Sequence, residues 1–102
     1  MHSKAQPLST IAIPTYNRAN SYLREAIRIA MNQTYPNIES IISDNCSMDN
    51  TETVVKNFKD HRIRYFRQGK NIGGNNNFNF CPSQAKGKYF LLLMDDFFYF
   101  PE

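Results

Sequence analysis

Two adjacent aspartates, Asp95 and Asp96, follow an apolar run of six residues at 89–94. Neighbouring carboxylates repel each other, and placing them beside apolar residues costs solvation unless a cation or a hydrogen-bond donor meets them. Carboxylate oxygens together with phosphate are ligands that Mg²⁺ and Mn²⁺ prefer, and carboxylates also accept hydrogen bonds from ribose hydroxyls. The pair therefore predicts a site for a divalent cation or for the ribose of a nucleotide.

Three earlier segments of the chain also carry polar residues directly after an apolar or β-branched stretch. The segment 14–18 offers a rigid turn, a hydroxyl, an aromatic face and a cation, and Asp44 follows the stretch at 38–43. The third polar segment, 70–75, contains two adjacent glycines. Each segment alone could be an ordinary turn or a helix cap, since glycine pairs usually mark turns. Their recurrence favours one shared binding site.

The residue types in these segments suit a nucleoside diphosphate. Tyr16 can stack beside a base, and Asp44 can accept a hydrogen bond from a base N–H. Arg18 or Lys70 can offset phosphate charge, and backbone N–H groups near 73–74 can approach phosphates closely because glycine has no Cβ. A divalent ion at the acidic pair would act as a Lewis acid on a leaving diphosphate.

An alternation of strands and helices must position these groups. Hydrophobic periodicity predicts strands at 8–13, 38–43, 63–66 and 89–94, and helices over 21–33, from near 49 onward, and over 75–85. We expect Asn20 or Ser21 to cap the first helix, and Asp49 with Glu52 has the spacing of a capping box at the second.

This order predicts an α/β fold with a mainly parallel sheet and helices on both faces. The first and fourth strands are near-continuous apolar runs, as expected for strands covered on both sides. Ligands of open parallel sheets bind beyond the carboxyl ends of the strands. We therefore expect the polar segments to gather at one edge of the sheet.

Composition narrows the class of protein. With 102 residues, 41% hydrophobic and 21% charged, the chain reads as one ordinary globular domain. Its net charge of +3 is scattered, which argues against nucleic acid as a partner and suits a phosphate-bearing small molecule or an anionic membrane surface. The two cysteines are far apart, so we expect neither a disulfide scaffold nor a zinc site.

The apolar runs also indicate where in the cell the protein is found. The longest is too short to cross a bilayer, and the first residues lack the apolar stretch of a signal peptide. We expect a cytoplasmic protein, or one peripheral to the inner face of a membrane.

Four segments together resemble the amino-terminal half of family 2 glycosyltransferases with the GT-A fold. They are 11–18 (IAIPTYNR), 42–51 (ISDNCSMDNT), 71–74 (NIGG) and 87–96 (GKYFLLLMDD). Their order and spacing match, and the resemblance covers 8–101. It implies a Rossmann-like, nucleotide-sugar-binding half, a UDP- or dTDP-sugar as donor, and inversion at the anomeric carbon. It also implies a saccharide or lipid-linked acceptor, often in surface polysaccharide assembly, and Mg²⁺ or Mn²⁺.

The resemblance assigns residues by position. The implied nucleotide-binding residues are Pro14, Thr15, Tyr16, Arg18, Asp44, Asn71, Gly73 and Asp95. The implied metal ligands are Asp96 and Asp95, the remaining members of an acidic motif that usually has a third aspartate. Phe97 stands at that third position and cannot coordinate a cation, so any metal depends on the two aspartates.

The family's catalytic base lies beyond its acidic motif, so no catalytic residue is assigned here and we expect the base past Glu102. We expect 1–102 to be a single, truncated sugar-donor-binding domain that transfers nothing alone. An uncovered apolar face around 97–100 would favour a homo-oligomer.

Two other readings compete with an enzyme. One is a non-catalytic nucleotide-binding module or a degenerate relative of the glycosyltransferases, which Phe97 and the short chain favour. The other is a flavodoxin-like signalling domain, which would carry an acidic pair after the first strand. The chain has Thr15, Tyr16 and Asn17 there, and we discount that reading.

Overall fold

The computed structural model describes residues 6–95. Seven elements follow one another in the predicted order, each close to its predicted range. They are β1 (Ser9–Thr15), α1 (Leu23–Met31), β2 (Ile38–Asp44), α2 (Thr51–Lys56), β3 (Ile63–Arg67), α3 (Gly74–Gln84) and β4 (Tyr89–Leu92). The strands form one parallel sheet in the order β3-β2-β1-β4.

Helices cover both faces of this sheet, as predicted. On one face, α1 and α2 pack against alternate residues of the central strands, among them Ile11, Ile13 and Ile42. On the other face, α3 buries Cys81 against Ala12 and Ile41. Side chains alternate between the two faces along a strand, so each face of β1 and β2 receives its own hydrophobic layer.

The fourth strand differs from its prediction. Within the described part of the chain β4 lies at an edge of the sheet, beside β1. Tyr89 and Leu91 are 55% and 59% exposed, whereas Ile11 and Ile13 of β1 are buried. The expectation that both apolar strands are covered on both sides is therefore correct for β1 and wrong for β4, because an apolar run reports hydrophobicity and not the neighbours that cover it.

The predicted helix caps are also wrong in detail. Tyr22 is the N-cap of α1 and makes no side-chain capping bond, while the Ser21 hydroxyl donates to the Arg18 carbonyl instead. Before α2, Asp49 does accept hydrogen bonds, from the N–H and hydroxyl of Thr51. The predicted capping box does not form: Asn50 is the N-cap of α2, with no side-chain capping bond, and Glu52 is ion-paired with Lys56, at 2.7 Å between Oε2 and Nζ.

A buried carboxylate ties the amino ends of the strands together. Glu39 of β2 accepts hydrogen bonds from the Thr10 hydroxyl at 2.6 Å, from Arg64 Nη1 at 2.8 Å and from the Lys86 N–H at 2.7 Å. The Gly87 N–H donates in turn to the Thr10 hydroxyl. We call Glu39, Thr10, Arg64 and the 86–87 backbone the Glu39 cluster. It anchors the start of β4 beside β1.

Two properties follow from this packing. Burial by itself would raise the pKa of Glu39, but hydrogen bonds from Thr10, the Lys86 N–H and Arg64 outweigh it, so the pKa lies below its ordinary value.

Gly87 approaches β1 so closely that a Cβ there would lie 2.5 Å from the Thr10 hydroxyl oxygen. Only glycine fits at this position without a shift of the backbone.

Candidate functional site

The carboxyl ends of three strands meet at one edge of the sheet. Thr15, the last residue of β1, lies opposite Asp44, the last residue of β2, and the Asn45 N–H donates to the Thr15 carbonyl at 3.0 Å. Beyond β4, the Asp95 carboxylate accepts a hydrogen bond from the Thr15 hydroxyl. The side chains of Thr15 and Asp95 are both buried. Residues 80 positions apart are thus in direct contact.

A cleft of about 220 Å³ opens at this edge, between the end of β1 and the start of α3. We call it the strand-end cleft. It is lined by Pro14, Thr15, Tyr16, Arg18, Asn45, Gly74, Asn77, Phe78, Met94 and Asp95. Ligand pockets are commonly about 300–1,000 Å³, so residues 6–95 can enclose only part of a nucleotide sugar.

The predicted nucleotide-binding residues fall into three groups around this cleft. Five line it directly, namely Pro14, Thr15, Tyr16, Arg18 and Asp95. Asn71 and Gly73 belong to the turn that leads into α3 and lie next to Asn45 and Gly74 of the cleft wall. Asp44 lines a neighbouring cavity of about 340 Å³ on the α2 side, together with Ser47, Asp49 and Arg67. The predicted residues therefore share one edge but not one cavity.

Asp44 is held by the protein on both carboxylate oxygens. Oδ1 accepts hydrogen bonds from the Ser47 N–H at 2.9 Å and the Ser47 hydroxyl at 2.6 Å, and Oδ2 accepts one from the Tyr65 hydroxyl. Burial, and then the hydrogen bond and negative charge of Asp44, raise the pKa of Tyr65 above its ordinary value. Tyr65 thus stays a neutral donor that orients the carboxylate.

The two loops that flank the Asp44 cavity are joined by reciprocal hydrogen bonds. The Asn17 N–H donates to the Ser47 hydroxyl, and the Asn17 side-chain oxygen accepts from the Met48 N–H, both at 2.8 Å. The Ala19 N–H donates to Asp49 Oδ2 at 3.1 Å. Asn17 has a φ of 55°, a left-handed conformation that asparagine tolerates better than most residues. These bonds fix the backbone beside Tyr16 and Arg18.

Sequence reasoning missed four residues of the cleft wall: Asn45, Asn77, Phe78 and Met94. Asn77 is buried and exchanges two hydrogen bonds with Ser43 of β2, which locks α3 onto the sheet. Phe78, 39% exposed, and Tyr16, 42% exposed, present aromatic surface at the cleft. The run of asparagines at 75–77 hid this arrangement, since composition does not show which asparagine points inward.

The fit of a divalent ion can be tested on the described residues. Within 6–95, no group of three His, Cys, Asp or Glu side chains is close enough to hold a metal. Among the described residues that line the strand-end cleft, Asp95 is the one carboxylate. Mg²⁺ sites on phosphate ligands commonly use one or two carboxylates plus phosphate oxygens and water. Asp95 therefore fits an ion shared with a diphosphate and does not fit a preformed cage.

The other predicted metal ligand, Asp96, lies outside the described residues, as do Phe97 and the apolar segment 97–100. For the membrane question, the helices found between residues 6 and 95 are all too short or too polar to span a bilayer.

The fold and the cleft define a class: an open parallel α/β domain whose candidate ligand site lies at the carboxyl ends of its strands. Comparison with known sequences supplies the family. The sequence profile of Glycosyl transferase family 2 matches residues 10–102, so this chain belongs to glycosyl transferase family 2. The resemblance carried by the four motifs is confirmed.

Curated relatives agree with this family. An uncharacterised glycosyltransferase of Rickettsia typhi is 44% identical over 95 residues, which are 93% of this chain and 29% of that protein. The GalNAc(5)-diNAcBac-PP-undecaprenol beta-1,3-glucosyltransferase of Campylobacter jejuni is 39% identical over 93 residues, covering 88% of this chain and 30% of its own length. The chain spans less than a third of the length of these two relatives.

Solved structures agree on the fold. S. aureus TarS 1-349 in complex with UDP-GlcNAc superposes with a TM-score of 0.78 at 27% identity, over 89% of this chain and 27% of that one. The mannosyltransferase PcManGT from Pyrobaculum calidifontis, in complex with GDP-Man and Mn²⁺, gives 0.79 at 23% identity, over 90% of this chain and 28% of that one. The predicted fold class, a Rossmann-like half of a GT-A fold, is confirmed.

Proposed function

We propose that this chain is the nucleotide-sugar-binding half of an inverting glycosyltransferase, which moves a sugar from a UDP- or dTDP-sugar to a saccharide or lipid-linked acceptor. The observation that carries the proposal is the strand-end cleft, where the segment 14–18 meets Asp95 from the far end of the described chain. Membership of the family supports glycosyl transfer, and the UDP-GlcNAc complex of TarS supports a nucleotide sugar as ligand.

Tyr16 and Asp44 are proposed to recognise the base, which would then extend from the strand-end cleft to the neighbouring Asp44 cavity. Tyr16 offers an exposed ring at the cleft, on which a base can stack. Asp44 Oδ2 accepts one hydrogen bond from the protein, from Tyr65, and a carboxylate oxygen has two lone pairs. The second lone pair can accept a hydrogen bond from a base N–H, which uracil and thymine both carry.

Arg18 and the first turn of α3 are proposed to meet the diphosphate. The N–H groups of Ile72 and Gly73 are used inside the turn, by the side chains of Asn45 and Asn71. The backbone N–H groups proposed to contact phosphate are therefore those at the start of α3. There Gly74 lines the cleft, and the first turn has no acidic residue. The first N–H groups of a helix have no intrahelical partner and favour an anion.

Asp95 and Asp96 are proposed to hold Mg²⁺ or Mn²⁺ on the diphosphate, or to accept the ribose hydroxyls. The ion would supply Lewis-acid stabilisation of the leaving diphosphate. Thr15 donates its hydroxyl hydrogen to Asp95 Oδ2 and so orients this carboxylate toward the cleft.

The proposal also covers the acceptor and the location. The name of the Campylobacter relative includes an undecaprenol diphosphate acceptor, which supports a lipid-linked acceptor for this chain. We propose that the protein works in the cytoplasm or at the inner face of a membrane, where the net charge of +3 suits an anionic surface.

Calorimetry on the intact protein with UDP, dTDP and GDP, each with and without Mn²⁺, tests the proposal. We expect UDP or dTDP to bind, and Asp44→Asn to weaken that binding by about tenfold because it removes a charged hydrogen-bond acceptor. The exposed Lys59 is the control, and Lys59→Ala should leave the affinity unchanged. Absence of binding to all three nucleotides would refute the proposal.

A second assay separates the enzyme from the non-catalytic alternative. An enzyme releases a nucleoside diphosphate from its nucleotide sugar when an acceptor is added. A protein that binds the nucleotide sugar tightly but releases no diphosphate with saccharide or lipid-linked acceptors would be a binding module.

A further inference from the structure

The turn that leads into α3 is held in place by the side chain of Asn45, which lies in the loop after β2. Asn45 is buried, and its Oδ1 accepts a hydrogen bond from the Ile72 N–H at 2.8 Å. Its Nδ2 donates to Asn71 Oδ1 at 3.0 Å, and the same Asn71 oxygen accepts from the Gly73 N–H at 2.8 Å. The side-chain amide of Asn45 is therefore linked to the N–H of Ile72 directly and to the N–H of Gly73 through Asn71.

The hydrogen-bond network determines which way both amides face. A backbone N–H can only donate, so the Ile72 N–H requires the oxygen of Asn45, and the Gly73 N–H requires the oxygen of Asn71. The nitrogen of Asn45 is then the group that meets the Asn71 oxygen. An asparagine at 45 supplies both the donor and the acceptor that this geometry needs.

Asn45 also connects this turn to the opposite wall of the cleft. Its own N–H donates to the carbonyl of Thr15, whose hydroxyl in turn donates to Asp95. The same residue thus contacts the end of β1 through its backbone and the start of α3 through its side chain. It is therefore hydrogen-bonded to both sides of the strand-end cleft.

Asn77 holds the body of α3 against β2, but the residue at which the helix begins has no cap of its own. Gly73 is the N-cap, with a φ of +89°, and α3 has no side-chain capping bond. A glycine in this left-handed region has many alternative conformations, and ordering it costs more than for other residues. Hydrogen bonds from outside the helix must therefore select the conformation that places Gly74 in the cleft wall.

We propose that Asn45 is a positioning residue for nucleotide binding: its side-chain amide fixes the 71–73 turn and so places the first turn of α3 against the diphosphate. This inference rests on the proposed function of the cleft. Asn45 acts through the backbone of its partners and does not itself have to touch the ligand.

The variants that test it are uncharged, so that no new charge repels the diphosphate. In Asn45→Ala we expect UDP or dTDP to bind about tenfold more weakly, because the turn loses two hydrogen bonds and the ordered start of α3. Asn71→Ala removes the oxygen that accepts from Asn45 and Gly73. It should also weaken nucleotide binding, with less effect on folding because the Asn71 side chain is exposed. Asn79→Ala, exposed on the same helix, is the matched control and should bind as the wild type does.

Two readouts separate positioning from a general loss of stability. Amide hydrogen exchange of the nucleotide-free protein should be about tenfold faster at Ile72 in Asn45→Ala, with the amides of β1 and β2 unchanged. In the double variant, the loss of nucleotide affinity should be smaller than the sum of the two single losses, because both substitutions break the same network.

The outcomes are distinct. If the wild type binds nucleotide and folded Asn45→Ala binds it equally well, the positioning role is overturned while the proposed function stands. Unchanged exchange at Ile72, or full additivity in the double variant, also overturns it. If the wild type binds no nucleotide, the proposed function fails and this role fails with it.

Discussion

The two ends of the sheet are held together by different chemistry. At the amino ends, the Glu39 cluster satisfies a buried carboxylate entirely from within, with Arg64, a hydroxyl and a backbone N–H. At the carboxyl ends, neutral amides and hydroxyls such as Asn45 and Thr15 join the strands beside an open cleft. The Glu39 cluster at the first end closes its polar groups on one another, whereas the second end leaves polar and aromatic surface for a ligand.

The largest expected effect comes from breaking the amino end. Glu39→Ala should lower the free energy of unfolding by about 3 kcal/mol, because it leaves Arg64 and the Lys86 N–H without their buried partner. Chemical denaturation measures this loss.

The matched control is Glu25→Ala on α1, whose ion pair with Arg28 is half exposed on both sides. Exposed pairs contribute little, so the loss there should stay below about 0.5 kcal/mol. Equal losses in the two variants would show that the Glu39 cluster does not hold the strands.

A smaller effect is expected at the carboxyl end, on binding. Tyr16→Ala and Phe78→Ala should each weaken nucleotide affinity by about tenfold, since an aromatic ring stacked on a base contributes about 1–3 kcal/mol. Calorimetry with UDP or dTDP gives the affinities.

Tyr89, an exposed ring at the amino end of β4, is the control, and Tyr89→Ala should bind nucleotide normally. If Tyr89→Ala weakened binding as much as Tyr16→Ala does, the ligand would not be confined to the carboxyl ends. The contrast between the two ends would then be wrong.

The smallest expected effect is on the pH dependence of stability. The pKa of Glu39 in the folded protein lies below its ordinary value of 4.5, so in acid the unfolded chain binds more protons than the folded one. The stabilisation by Glu39 is fully present above the pKa that this carboxyl has in the unfolded chain. It is lost as the pH falls through the lower pKa that the carboxyl has in the folded protein. Wild-type stability should therefore decline as pH falls below about 5.

Glu39→Gln should be less stable at neutral pH but should show a shallower decline in acid. Part of the decline must remain, because hydrogen bonds from Arg62 lower the pKa of Asp60 to about 2. An identical slope in wild type and variant, measured by urea titration at each pH, would contradict the role of the Glu39 carboxylate.

The secondary structure and the position of the site could be predicted from the sequence because both depend on local patterns. The stretches 8–13 and 38–43 differ from the observed β1 and β2 by only one or two residues at an end. Parallel strands with polar residues after them can only present those residues at one edge. This is why Thr15 and Asp95 were expected close together, and the structure places them in contact.

The parts that sequence reasoning missed depend on contacts between distant residues. Asn45 and Asn71 are 26 positions apart, and nothing near Asn45 in the sequence shows that it faces a turn before the third helix. The prediction for β4 failed for a similar reason, since an apolar run is the same at an edge as in the centre. Asp44 was placed at the correct edge, but its cavity on the α2 side was not foreseen.

The amino-acid sequence by itself determined the order of elements, the parallel α/β class, the family and the edge of the sheet at which the candidate site residues gather. These follow from hydrophobic periodicity and from motifs of a few residues each. Only the tertiary structure decided which asparagine bridges the cleft, which carboxylates are hydrogen-bonded within the protein and which strands lie at the edges of the sheet formed by residues 6–95. Those outcomes depend on the packing of segments far apart in the chain, which local patterns do not encode.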